Sequence, residues 1–144
     1  MHRRRFLRRF AAGGALLTAG CSALRGPGVP FRFAVVNRRE RAYHVDFTLR
    51  TSHGDALVDG AADVAPRPPG DDEYAELTVE DLARVRNGDE IDARVRVDGR
   101  TYEETYEVTC AESDAAESAL FFRIRHPEAP ASNPTGMEFG GSEC

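Results

Sequence analysis

The residues of this chain that could do chemistry are few. Beyond the first twenty positions the histidines are His44, His53 and His126, and the cysteines are Cys21, Cys110 and Cys144. Together with Met137 they raise the question of copper, since a blue-copper centre takes two His, one Cys and a weakly bound Met. Such centres gather the Cys, the second His and the Met within a few residues. Here Cys110 and His126 are 16 residues apart, and Met137 lies 11 further on. The spacing does not match, so the expectation is exposed histidines in turns and on a polar strand face. A small metal-binding or redox protein using His44, His53, His126 and Cys110 stands as the alternative reading. No metal site and no cofactor is expected.

Hydrolytic chemistry has no better footing. The chain holds no Gly-x-Ser-x-Gly elbow and no His-Glu-x-x-His. Carboxylate pairs such as Asp71-Asp72 and Glu103-Glu104 occur, but a chain with 24 acidic residues makes such pairs without catalytic purpose. Glu104 is the one carboxylate that falls on an apolar strand face, and a position at the sheet rim is expected for it, because Glu is rarely fully buried. Asp71, Asp72 and Glu73 offer oxygens that a hard cation could use, yet no EF-hand spacing accompanies them, and a solvated loop is expected. No catalytic residue is assigned, and the chain reads as a non-enzyme.

The elements that must position these residues are strands. Phe31, Phe33 and Val35 alternate with Arg32 and Ala34. Tyr43, Val45, Phe47 and Leu49 share one face, with His44, Asp46, Thr48 and Arg50 on the other, the period of a half-buried strand. Short strands are expected at 56–58 and 74–79. The stretch from Gly60 to Asp72, with three prolines and two glycines, reads as a loop between sheets. Leu82, Val85 and Gly88 suggest a helical turn. Asp98-Gly99 is the signal of a type I′ turn, which joins a strand at 90–97 to one at 100–109. That register pairs Val97 with Arg100, Val95 with Tyr102, Ala93 with Glu104 and Ile91 with Tyr106, and sets Arg94 opposite Glu103. Leu120, Phe122 and Ile124 point inward from a strand at 118–125, while Phe121 points outward and, with Tyr43 and Phe47, suggests a contact patch. A last short strand is expected at 137–139.

About seven short strands with almost no helix predict an all-β fold, a single β-sandwich. The layout over residues 31–144 resembles an immunoglobulin-like domain in architecture. The Cys-Trp-Cys spacing of antibody domains is missing, because the chain has no Trp. No family site carries over to this chain from that resemblance.

Charge is segregated along the chain. All 24 acidic residues lie at Glu40 or beyond, and Arg3, Arg4, Arg5, Arg8 and Arg9 crowd the start. The remainder has 14 Arg against 24 acids, a net of −10, and there is no lysine. So acidic a body argues against a nucleic-acid partner, which needs a basic surface. It suits concentrated salt, where the Debye length falls to roughly 3 Å and self-repulsion is screened.

The first twenty residues read as an export signal: a basic start, the uncharged run Ala11 to Gly20, then a small-residue processing site. That run of ten is too short to span a membrane, which takes roughly 20 apolar residues. Arg3-Arg4-Arg5-Phe6-Leu7 resembles a twin-arginine signal, with Arg3, Arg4, Phe6 and Leu7 at the motif positions. Leu17-Thr18-Ala19-Gly20-Cys21 resembles the lipobox of bacterial and archaeal lipoproteins, with Thr18 where an aliphatic residue is usual. The resemblance implies that Cys21 receives a lipid and becomes the new N-terminus. Signal and composition together resemble the small exported lipoproteins of halophilic archaea.

Residues 1–20 are then the signal, 21–30 a Gly- and Pro-rich tether, and 31–144 the domain. With Cys21 set aside as the anchor, Cys110 and Cys144 are left to pair, as exported cysteines do. The disulfide would close a loop of roughly 35 residues, worth about 3–4 kcal/mol. The expected role is a non-enzymatic binding or accessory module held on the outer face of the cytoplasmic membrane by the Cys21 lipid. Its partner would be a protein or another envelope component.

Overall fold

The computed structural model describes residues 28–109, 111, 118–129 and 133–142. Among them are eight strands: β1 (Val29–Asn37), β2 (Tyr43–Thr51), β3 (Ala56–Val64), β4 (Ala75–Val85), β5 (Glu90–Val97), β6 (Arg100–Glu107), β7 (Ser118–Ile124) and β8 (Met137–Gly141). They form two four-stranded sheets, ordered β4-β1-β7-β8 and β3-β2-β5-β6. All neighbours are antiparallel except β1 and β7, which run parallel with Phe31 beside Ser118 and Asn37 beside Ile124. The fold is an all-β sandwich, as the alternation predicts, with one strand more than expected.

The core lies between the sheets and is made by the alternating residues. Phe31, Phe33 and Val35 of β1 meet Val45, Phe47 and Leu49 of β2, and Leu120, Phe122 and Ile124 of β7 complete the layer. Burying each of these side chains contributes about 1.5–3 kcal/mol. The β5–β6 hairpin has the predicted register at every pair. Its turn holds Asp98 at φ 53° and Gly99 at φ 74°, the two positive values of a type I′ turn.

Three expectations are corrected. First, β3 runs through Val64, so the first five residues of the expected Gly60–Asp72 loop are strand. The reason is β2, which pairs along its length and sets Phe47 opposite Gly60 and Tyr43 opposite Val64. Gly60 suits that place, because a Cβ there would stand 3.3 Å from the Phe47 ring. Second, no helical turn follows residue 79. β4 continues to Val85, since β1 begins at Val29 and pairs with it there. A bulge absorbs the misfit in register between Phe31 and Phe33, and Asp81 takes φ 52° within it. Third, Tyr43 and Phe47 are no surface patch; both are buried.

The strand directions give the sandwich two ends. At one, β1 begins at Val29, beside the turns at 52–55 and 86–89 and the end of β8. At the other lie the 38–42 turn, the 65–74 loop, the Asp98-Gly99 turn and residues 125–129 and 133–136. The second end is therefore the one remote from Val29. No helix among the described residues is long and apolar enough to cross a membrane.

Candidate functional site

Arg3, Arg4, Phe6, Leu7 and Cys21 lie outside the described residues, as do Cys110 and Cys144. The flanks of the last two are described. Tyr106 packs against Gly141, so tightly that a Cβ on Gly141 would collide with its ring. Ala111 N–H donates to Asn87 Oδ1 at 2.8 Å.

The histidines are not brought together. His44 stands near one end of β2 and His53 in the turn beyond the other, and the strand from His44 to Thr51 spans about 23 Å at ~3.3 Å per residue. His126 follows β7, where its Nδ1 accepts the Glu128 N–H at 3.2 Å. Met137 is buried against Tyr102, whose hydroxyl lies 3.7 Å from its sulfur. Among the described residues no three His, Cys, Asp or Glu side chains are grouped to hold a metal. Asp71, Asp72 and Glu73 are exposed. Glu104 is exposed on β6, the sheet edge, between Tyr102 and Tyr106. A charge pointing toward the core side of an edge strand discourages a further strand from pairing there. Phe121 lies between two guanidiniums, Arg32 at 5.1 Å and Arg123 at 5.0 Å from the ring centre.

Two surfaces could receive a partner. The outer face of the second sheet is a ladder of polar pairs. His44 Nδ1 meets Asp63 Oδ1 at 2.7 Å, Thr48 donates to Asp59 at 3.1 Å, Thr105 donates to Asp92 at 2.8 Å, and Arg94 Nε meets Glu103 at 3.1 Å. Asp63, and more weakly Asp46 at 3.8 Å, raise the His44 pKa above its ordinary value. A shallow depression of about 510 Å³ lies over Thr48, Arg94 and Glu103. Its charges largely satisfy one another.

The second surface is a cleft of about 390 Å³ at the end of the sandwich remote from Val29. Val97, Pro127, Pro134 and Met137 supply its apolar part, Arg100 and Tyr102 reach it from β6, and Arg39 reaches it from the 38–42 turn. Arg39 is fixed: Nε donates to Arg125 O at 2.8 Å, Nη1 to Tyr43 Oη at 3.2 Å, and Nη2 to Thr135 O. Asn133 shapes the wall, accepting from Thr135 N–H, Thr135 Oγ1 and Gly136 N–H, and donating to Met137 O at 2.8 Å. Tyr102 Oη donates to Thr135 Oγ1 at 2.9 Å. The acid at the rim, Asp98, is already paired with Arg41.

The sequence reading left this cleft out. Its signal was present in Arg38, Arg39 and Arg41, three cations within four residues of a strongly acidic domain, read only as a polar turn. No family model and no curated protein matches this chain.

Proposed function

We propose that the protein is a cell-surface lipoprotein whose immunoglobulin-like sandwich is a non-enzymatic binding or accessory module. A twin-arginine signal at Arg3 and Arg4 exports it, and lipid on Cys21 holds it to the outer face of the cytoplasmic membrane. Cys110 and Cys144 form a disulfide. The observation that carries this reading is the run Leu17-Thr18-Ala19-Gly20-Cys21, placed shortly before β1 begins at Val29. An all-β body with paired polar faces supports a module in place of an enzyme. The chain's negative charge suits concentrated salt and a partner other than nucleic acid.

The test is cell fractionation of the protein and its Cys21→Ser variant. The native protein is expected in the membrane fraction and the variant in the soluble fraction. A variant that stays with the membrane would remove the lipid anchor from this reading.

A further inference from the structure

We propose that the cleft at the end remote from Val29 binds a single carboxylate carried on an apolar group, such as the C-terminal residue of a partner protein. The inference deepens the binding-module reading by assigning it a site and a ligand chemistry.

Three observations converge. The cleft has the volume of a small-ligand site, about 390 Å³ against ~300–1,000 Å³ for such pockets. It is built before any ligand arrives: Arg39 is locked by three hydrogen bonds, and the Asn133–Met137 turn by four made through one asparagine side chain. Such preorganisation lowers the ordering cost of binding. Its electrostatics are one-sided. Arg39 supplies a fixed positive charge whose hydrogen bonds go to neutral oxygens, and Arg41 neutralises Asp98. Arg100 is exposed and makes no ion pair or side-chain hydrogen bond among the described residues. It is the guanidinium left to form the two-pronged pair with a carboxylate.

The apolar walls decide the class of anion. Val97, Pro127, Pro134 and Met137 cannot replace the hydration of a small, highly charged ion such as phosphate. A monoanion with a branched aliphatic body places its charge at Arg100 and its body on those walls. High salt screens long-range attraction, so recognition rests on this contact pair and on apolar burial, which salt leaves in place.

The test uses the full chain, purified from whole-cell extract with detergent present at molar salt, and isothermal titration. The probes are an acetylated tri-alanyl-leucine peptide, its C-terminal amide, 4-methylpentanoate and inorganic phosphate. The free-acid peptide is expected to bind, with the amide weaker by about tenfold or more, as for the loss of a charged hydrogen bond. Arg100→Gln is expected to weaken the peptide by a similar factor with an unchanged melting temperature, and Arg100→Lys to restore part of it. Peptide binding tighter than 4-methylpentanoate identifies a protein C-terminus as the source; equal binding identifies a free acid. The proposal is overturned if the amide or phosphate binds as well as the acid, if Arg100→Gln has no effect, or if no probe binds. None of these outcomes depends on the Cys21 lipid, which fractionation tests separately.

Discussion

The sandwich closes along two seams, and they are built differently. Where β6 faces β8, rings do the closing. Tyr102 lies 5.2 Å from Phe122, Phe122 lies 5.1 Å from Phe139, and Tyr106 stacks on Phe31 at 6.3 Å. Where β3 faces β4, small and aliphatic residues meet: Val58, Gly60 and Ala62 against Ala75, Leu77 and Val79, all half-buried. The ring seam ends at the cleft, where Tyr102 reaches Thr135 and Met137. The aliphatic seam ends at the 65–74 loop without such a feature. Large rings fill a gap between two edges that barely touch, and they leave space where the ring row stops. Small side chains let edges approach and leave none. The difference teaches that the candidate site is a product of how one seam is filled.

That contrast can be broken at several points. The largest effect is expected from Phe122→Ala, which removes the ring between Tyr102 and Phe139. It should cost about 3–5 kcal/mol, read as a lower denaturant midpoint at constant slope. Next is Cys110→Ser. If the proposed disulfide ties the same seam, the variant loses about 3–4 kcal/mol. Non-reducing peptide mapping checks the bond itself, and two free thiols would dismiss it.

A paired substitution sharpens the comparison further. Gly141→Ala drives a methyl into the Tyr106 ring and should cost about 1–3 kcal/mol. Gly60→Ala at the other seam meets Phe47 at 3.3 Å, a contact that a few tenths of an ångström of movement relieves, so its cost should stay below about 1 kcal/mol. Equal melting shifts for the two would erase the distinction between the seams.

The smallest effect concerns His44, which joins β2 to β3 on the aliphatic side through Asp63. Its pKa is raised in the folded protein, so its protonated form is favoured by folding. The stabilisation is therefore complete below about pH 6.5 and is lost as pH rises through the higher folded value. The side chain is 63% exposed, and pairs of that kind contribute little. A pH series of melting temperatures for the native protein and His44→Gln should converge at alkaline pH and separate slightly at acid pH.

Much of the fold was legible because its signals are local. The strict alternation of β2 and the Asp98-Gly99 turn each depend on neighbouring residues, and both the strand face and the hairpin register follow from them. The lengths of β3 and β4 were not legible. Gly60 and Asp81 look like loop residues by type, and only their partners, Phe47 and β1, hold them in strands. The histidines could be judged scattered from spacing alone, and the structure places His44 and His53 at opposite ends of a strand.

The sequence alone determined the class of architecture, the hairpin register and the charge of the domain. These are properties of runs of a few adjacent residues. Tertiary structure alone decided that Arg39, Arg100, Tyr102 and Thr135 share one cleft. The period of a strand relates Arg100 to Tyr102, but no period or spacing relates that pair to Arg39 or Thr135. They meet because β1 and β7 run parallel, which carries residues 125–129 and 133–136 to the same end as the 38–42 turn and the Asp98-Gly99 hairpin turn.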